Sequence, residues 1–325
     1  MASAPQVVVV GSIMQDLTLA CAEFPQPGET TVGKLRTGQG GKGSNQAIAC
    51  GKTGVRTVFV GAMGDDAYAR QVAAFYRREK IGCRLALKPD QATGTAVILI
   101  NDRGQNEIVI EAGANAALRA RDIPATLLAR TKVLITQLES NLSTTAHALR
   151  VARDAGTLTV LNPAPMRVDF DARLLRHVDV LIPNESEFAA LVRVLPQVRE
   201  TGFDERTLHA LADAELHALC RKIGVATVII TLGERGCFVS ERDAFTRVPA
   251  HRGLKVVDTT GAGDAFCGGF AAGLVRSGGK IVDAVRLGTA VAALSVTKAG
   301  AAPSMPSRAE LKRFLGREQS AAWGL

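Results

Sequence analysis

The chain has 325 residues, of which 47% are hydrophobic and 22% charged, so it carries enough apolar material for a large globular core. Its formal charge is +8, but the basic residues are scattered without a stripe of interleaved aromatic residues, which argues against nucleic-acid binding and suits a small anionic ligand. The six cysteines never form C-x-x-C, and no apolar run reaches the ~18 residues of a membrane span. We therefore expect a cytoplasmic protein with neither a membrane nor a nucleic-acid partner.

Short β-branched runs alternate with amphipathic stretches along most of the chain. The predicted strands cover residues 7–11, 57–61, 132–136, 157–161, 179–183, 226–231 and 236–240. Helical periodicity predicts helices over 66–80, 143–154 and 207–222, whereas 195–204 has the composition of a loop. Apolar strands separated by helices predict a mostly parallel sheet that is covered on both faces.

Residues 95–110 break this alternation. They read TAVILINDRGQNEIVI, two apolar runs around the turn NDRG with no helix between them, which predicts a β-hairpin. Both runs are apolar on both faces, which is a liability for an exposed ribbon. The hairpin either lies on the core as an edge of the sheet, or it is a lid with one face over a ligand and the other against a second subunit.

A glycine turn and a single acid stand out in residues 257–274. Gly261, Ala262 and Gly263 precede a helix whose first turn carries Asp264. Backbone N–H groups at a helix N-terminus bind anions, and glycine lets a phosphate approach them closely. An acid at this place suits proton removal from an incoming hydroxyl group, but a glycine turn followed by aspartate is also common without any catalytic role. Taken alone, this segment leaves the two interpretations about equal; the further glycines inside the helix indicate tight packing against a neighbour.

Four other polar segments lie at predicted strand ends or helix starts. GQGGKGSNQ (38–46) lacks the Walker pattern but offers Lys42 and Asn45 at a helix start, either for sugar hydroxyls or a phosphate or as a plain helix cap. Asp16 follows the first strand, where open α/β sheets bind ligands, but it could also be a solvated turn residue. The acids of NESE (184–187) could order water around a divalent ion, although a helix N-terminus is favoured, and 231–236 could be only a turn.

Together these segments resemble the ribokinase branch of the PfkB carbohydrate kinase family. GGKGSNQA (40–47) and DTTGAGDAF (258–266) match its two signatures, and TGTAVILINDRGQNEIVIEAGAN, QLES, LNPAPM and NESE match between them, so the resemblance covers nearly the whole chain. It implies one ribokinase-like α/β domain over 1–325, a three-layer sandwich with a central mostly parallel sheet and a small β-sheet lid formed by about 13–38 and 93–112. It also implies ATP-dependent phosphorylation of D-ribose, with Mg²⁺, K⁺ and a homodimer through the lid. Another small sugar, a nucleoside, or a non-catalytic sugar- or nucleotide-binding role remain alternatives.

The resemblance implies roles for the matching residues. Asp264 matches the catalytic base, and Gly261, Ala262 and Gly263 match the anion hole. The positions that match sugar contacts are Met14, Asp16, Gly41, Lys42, Gly43, Asn45 and Glu139. The positions that match nucleotide contacts are Asn184, Thr231, Gly233, Gly236, Gly263 and Thr289. The positions that match a monovalent-cation loop are Asp258, Thr260, Ser295, Lys298, Gly300 and Ser304, and Glu187 matches an acid near Mg²⁺ and its waters.

Three features depart from the family pattern. Met14 stands where asparagine is common, and it would lose a hydrogen bond to the sugar. Thr289 stands where histidine or asparagine is common, on the adenine side. The region around 192–208 is longer than in typical members, and the sequence assigns it no role.

Overall fold

The computed structural model describes residues 4–325. The strands are β1 (Val7–Val10), β2 (Met14–Ala20), β3 (Lys34–Gly40), β4 (Thr57–Met63), β5 (Gly82–Leu87), β6 (Thr95–Ile100), β7 (Asn106–Glu111), β8 (Val133–Thr136), β9 (Leu158–Leu161), β10 (Val180–Leu181), β11 (Thr227–Thr231), β12 (Cys237–Ser240) and β13 (Phe245–Val248). The α-helices are α1 (Lys42–Lys52), α2 (Ala67–Glu79), α3 (Ala125–Leu128), α4 (Leu142–Asp154), α5 (Glu185–Val194), α6 (Glu205–Ala210), α7 (Asp213–Lys222), α8 (Ala262–Ser277), α9 (Ile281–Ser295) and α10 (Arg308–Ala322). None of the helices formed by residues 4–325 is both long and apolar enough to cross a membrane.

The larger sheet has nine strands in the order β13-β12-β11-β10-β9-β8-β1-β4-β5. All its strand pairs are parallel except β11–β12 and β12–β13, which are antiparallel at one edge. Alternate residues of β1 enter opposite cores, because side chains of a strand point to opposite faces. Val7 and Val9 pack with residues of α1, α2, α8 and α9, whereas Val8 and Val10 pack with residues of α4, α5 and α7. The predicted three-layer arrangement is therefore confirmed.

The predicted elements agree with this architecture except at one helix. All seven predicted strands are present, and 195–204 contains neither helix nor strand. The single helix predicted over 207–222 is wrong: α6 ends at Ala210 and α7 begins at Asp213, because Leu211 and Ala212 have extended backbones with ψ of 139° and 152°. The carboxylate of Glu215 accepts a hydrogen bond from the Ala212 backbone N–H at 2.9 Å, which starts a new helix at this point.

A separate four-stranded sheet, in the order β3-β2-β6-β7, contains the predicted hairpin as β6 and β7. The interpretation of this hairpin as an edge on the core is wrong, since every residue of β7 is exposed. The register gives the sheet two distinct faces. Asp16 is level with Ala96 and Ile110 on the inner face, whereas Leu17 is level with Val97 and Val109 on the outer face. This small sheet is called the lid below.

Close packing explains the glycines inside α8. A Cβ atom on Gly268 would lie 2.5 Å from the backbone oxygen of Gln46 in α1, and one on Gly273 would lie 2.5 Å from Cα of Ala284 in α9. Both distances are below van der Waals contact, so the backbones of the three helices touch at these positions. The packing fixes the N-terminus of α8 against α1, which brings the two signature segments together.

Candidate active site

Helix α1 begins directly over the end of β1. Gly41 precedes it with φ of 85°, and a Cβ atom on Gly43 would lie 2.8 Å from the backbone of Gly11. No side chain of the helix caps its start. Instead, Oε2 of Glu139 accepts hydrogen bonds from the Lys42 backbone N–H at 3.0 Å and from the Ser12 hydroxyl at 2.5 Å. The glycines thus allow Lys42 and Glu139, two predicted sugar-contacting residues, to meet at one strand end.

Asp264 lies in the first turn of α8 and is only 7% exposed. Its Oδ2 accepts a hydrogen bond from Nδ2 of Asn45, and its Oδ1 accepts one from Nε2 of Gln46, each at 2.9 Å. Gly261 precedes the helix with φ of 77°, in the left-handed region that favours glycine. The carboxylate is therefore held in one orientation beside the turn that opens the helix.

Burial raises the pKa of Asp264, against the opposing effects of Lys42 and the two amide donors. Burial also disfavours the charge on Lys42, but the carboxylates of Asp264, Glu139 and Glu187 raise its pKa above the ordinary value, so it stays protonated. The ammonium group of Lys42 is thus a positive charge that interacts with all three of these carboxylates. A cation in this position favours the ionised form of a catalytic acid and can attract a phosphate.

Asp16 carries a carboxyl group with a perturbed pKa on the sugar side of the site. Burial, followed by the charges of Glu139 and Asp264, raises its pKa to about 7. Its carboxylate lies over Gly40 of β3, where a Cβ atom would collide with it. Met14 precedes Asp16 by two residues in β2, so the two side chains share the inner face of the lid, and Met14 is only 2% exposed.

A cavity of about 190 Å³ joins the predicted catalytic and nucleotide residues. It is bordered by Lys42, Asn184, Glu187, Thr231, Asp264 and the turn 261–263. Asn184 and Glu187 cap each other at the start of α5, which confirms the helix-terminus interpretation, and both still face the cavity. The N-termini of α5 and α8 therefore both border one space, which suits a polyphosphate.

Not every predicted nucleotide residue borders this cavity. Gly233 and Gly236 lie in the adjoining turn, where a Cβ atom on Gly236 would collide with the backbone oxygen of Val248. Thr289 borders a separate groove of about 730 Å³, together with Val248 and Pro249. Its hydroxyl group donates to the backbone oxygen of Arg286, so Thr289 can serve a ligand in this groove only as a hydrogen-bond acceptor.

The two predicted arms of the cation loop are in contact. Oδ1 of Asp258 accepts a hydrogen bond from the Thr260 backbone N–H at 2.9 Å, and Oδ2 accepts one from Gly300 at 2.8 Å. Lys298 does not neutralise Asp258, because its Nζ is bonded to Glu310 at 2.5 Å. The hydroxyls of Ser295 and Ser304 donate their hydrogens to nearby backbone oxygens, and their own oxygens keep lone pairs that could coordinate a cation.

Sequence reasoning missed a layer of amides behind Asp264. Gln46 accepts a hydrogen bond from Gln137 at 2.6 Å and donates to Asn162 at 3.1 Å as well as to Asp264. Gln46 and Asn162 lie in the motifs GGKGSNQA and LNPAPM, which is the signal that could have identified them. Their spatial partners are 91 or more positions apart in the chain, so periodicity and local motif chemistry give no indication of the contacts.

The acids present fit Mg²⁺ that arrives with a nucleotide. Among residues 4–325, no group of three or more His, Cys, Asp or Glu side chains could hold a metal ion by itself. Mg²⁺ commonly takes one or two protein carboxylates and completes its shell with water and substrate phosphates. Glu187, which borders the cavity, matches that requirement.

The buried acid, the glycine turn at the helix start and the cavity that both border together suit a phosphotransferase that acts on a hydroxyl compound. Residues 4–308 match the model of the pfkB family of carbohydrate kinases. The chain belongs to this family.

Relatives and solved structures place the chain among sugar kinases of this family. It is 34% identical to a ribokinase of Haemophilus influenzae over 95% of this chain and 98% of that one. It is also 34% identical to a deoxyribokinase of Salmonella typhi over the same shares. The structure of an Arabidopsis thaliana ribokinase complexed with ribose and ATP is similar with a TM-score of 0.83 and 30% identity, over 97% of this chain and 100% of that one.

Proposed function

We propose that the protein transfers the γ-phosphoryl group of ATP to the 5-hydroxyl group of D-ribose. The observation that carries the proposal is Asp264: it is buried, held by Asn45 and Gln46, and placed at the helix start beside the 261–263 turn. The similarity to an Arabidopsis ribokinase complexed with ribose and ATP supports the choice of both substrates.

In the proposed reaction Asp264 takes the proton of the sugar hydroxyl as its oxygen attacks the γ-phosphorus. The bond between that phosphorus and the β,γ-bridging oxygen breaks, and ADP leaves. Backbone N–H groups of the 261–263 turn and the ammonium group of Lys42 hold the charge on the transferred group. Mg²⁺, held by the nucleotide and by Glu187, would neutralise further phosphate charge.

The sugar would lie between α1 and the lid. Asp16 and Glu139 supply carboxylate oxygens for its hydroxyl groups, with Lys42 and Asn45 as donors. The backbones of Gly41 and Gly43 allow the close approach of this helix start. Closure of the lid would exclude water, which otherwise competes with the sugar for the phosphoryl group.

One observation favours a second candidate, 2-deoxy-D-ribose. Met14 is buried on the same lid face as Asp16, and a thioether is at best a weak acceptor for a hydroxyl group. A site that leaves one sugar hydroxyl unpaired discriminates against that hydroxyl. The deoxyribokinase of Salmonella typhi is as similar to the chain as the ribokinase is.

A coupled ADP-release assay with each sugar tests both candidates. D-ribose as the better substrate supports the first proposal, and 2-deoxy-D-ribose as the better substrate supports the second. Met14→Asn should raise the ratio of kcat/KM for D-ribose to kcat/KM for 2-deoxy-D-ribose by about tenfold, the scale of one hydrogen bond. Turnover of neither sugar, with activity on a nucleoside or none at all, would refute both.

The assembly and the compartment complete the proposal. Leu35, Val97 and Val109 are exposed by 58%, 37% and 72% on the lid, and a patch of this kind favours a homodimer through the outer lid face. All six cysteines are free, which supports a reducing compartment such as the cytoplasm.

A monovalent cation, K⁺ in our proposal, would be held by the two arms that Asp258 joins.

A further inference from the structure

The connection between α5 and α7 overlaps the 192–208 segment that the sequence left without a role, and it reaches the nucleotide side of the site. Residues 195–212, called the insert below, connect α5 to α7 and include α6. The insert is well packed: Phe203 is 1% exposed and meets Phe188 of α5 edge to face with 6.3 Å between ring centres. Nη1 of Arg193 also donates to the backbone oxygen of Phe203 at 2.6 Å. Helix α6 therefore has a fixed position against α5.

The last turn of α6 carries His209 into an ion-pair cluster. Oε1 of Glu185 lies 3.0 Å from Nε2 of His209 and 3.1 Å from Nη2 of Arg235, and the imidazole and the guanidinium group are themselves in contact. Glu185 is the first residue of α5 and directly follows Asn184. Arg235 ends the 233–235 turn, four residues after Thr231. The cluster thus joins α6 to the start of α5, which borders the 190 Å³ cavity, and to the 233–235 turn, which follows the cavity residue Thr231.

The hydrogen bonds available in this cluster indicate how the imidazole of His209 holds its two partners. Nε2 of His209 can take either of two parts: with a hydrogen it donates to Oε1 of Glu185, and without one it accepts a hydrogen from Nη2 of Arg235. The side chains of Glu185 and His209 are about a quarter exposed. A charge-assisted hydrogen bond between partly buried groups is stronger than one between fully solvated groups. Removal of the imidazole takes one hydrogen-bond partner from the cluster in either case, and Arg235, which is half exposed, is then held by Glu185 alone.

We propose that His209 is a positioning residue for the nucleotide: it fixes Arg235, and through it the 231–236 turn, against the start of α5. The backbone already ties these elements on the strand side, where Thr231 N–H donates to the Pro183 oxygen at 3.0 Å. The far side of the turn is held to α5 by the ion-pair cluster. A mobile turn would cost binding free energy each time a nucleotide orders it.

This inference rests on the proposed kinase function, so its test measures nucleotide binding without a sugar. ADP affinity is measured by calorimetry on the full chain, followed by KM for ATP and for the sugar. His209→Ala should weaken ADP binding and raise KM for ATP by about 3- to 10-fold, the scale of one hydrogen bond, with kcat and KM for the sugar unchanged. His209→Gln places an amide group, which can both donate and accept, near the position of Nε2, and it should restore most of the affinity.

A matched control comes from the same helix. Thr207 contacts Asp204 at the start of α6 and does not touch the cluster, so Thr207→Ala should leave ADP affinity unchanged. Unchanged ADP affinity in His209→Ala would overturn the inference. A common fall in ADP affinity, sugar affinity and Tm, without rescue by glutamine, would also overturn it, because it indicates a general structural role. Absence of ribose turnover in the wild type would refute the proposed sugar but leave the ADP result interpretable.

Discussion

At the scale of single residues, the position of Asp264 determines the chemistry. Asp264→Asn keeps the size of the side chain but removes the basic oxygen. We expect kcat to fall at least ~10²-fold, the usual scale for loss of a general base, with little change in sugar affinity. Asp243→Asn, at an exposed turn, is the control and should keep full activity. Near-normal turnover of purified Asp264→Asn would rule out this residue as the base.

Asp16 gives a pH dependence whose sign follows from its pKa. In the sugar-free protein this pKa is raised to about 7, so the carboxylate is fully formed only above neutral pH. Because ionised acceptors bind hydroxyl groups more strongly, sugar affinity should increase as pH rises through 7. Measurement of Kd for the sugar from about pH 5.5 to 8.5 checks this, and Asp16→Asn should bind weakly with a flatter profile. A wild-type Kd that is constant over this range would contradict the prediction.

At the scale of elements, α8 contains a matched pair of glycines. Gly268 lies against the backbone of α1, whereas a Cβ atom on Gly263 would meet no atom within 4 Å. Gly268→Ala should lower the free energy of unfolding by ~1–3 kcal/mol through overpacking. Gly263→Ala should be neutral or raise it by up to ~1 kcal/mol, because alanine favours helix. Urea unfolding of both variants measures the difference, and equal stabilities would show that the α1–α8 contact can relax.

The predicted cation loop also acts at the scale of elements. Asp258 joins its two arms, and the first arm continues into the 261–263 turn. A cation held there would fix the turn's N–H groups in donor geometry. We expect kcat in K⁺ to be at least ~10-fold higher than kcat in a bulky organic cation. This effect is smaller than the fall in kcat when a whole anion-hole donor is removed, because the donors would only be misaligned. Na⁺ should activate poorly. Asp258→Ala should lose this activation, whereas Lys312→Ala, on α10 away from the loop, should retain it. Equal activity in K⁺ and in the organic cation would refute the site.

At the scale of the whole molecule, the lid decides the state of assembly. Val109 lies on the outer face at the exposed edge strand, so Val109→Lys should convert the proposed dimer to monomer because a buried unpaired charge is costly. Ile110 lies on the inner face and serves as the matched variant: Ile110→Lys should raise KM for the sugar and leave the dimer intact. Sedimentation at micromolar concentration distinguishes the two. A monomeric wild type would refute the interface.

Much of the fold was predictable because its strands are buried on both faces. Runs such as residues 7–10 and 133–135 are entirely apolar, and their spacing by helical stretches indicates a parallel sheet. Strands β2 and β3 were not predicted from periodicity, because they lie in the half-exposed lid and mix polar with apolar residues. The break in the helix predicted over 207–222 was missed because it depends on a capping carboxylate, which periodicity does not detect.

The sequence by itself determined the family, the mostly parallel sheet and the segments that would form the site, because short motifs encode turns and helix starts locally. Only the tertiary structure decided which side chains meet. The amides of Gln46 and Gln137 came to lie behind Asp264, Lys298 was directed to Glu310 instead of Asp258, and His209 reached Arg235. These contacts join residues between 12 and 218 positions apart. They follow from the way helices and strands pack around the two cores, and local sequence patterns carry no record of that packing.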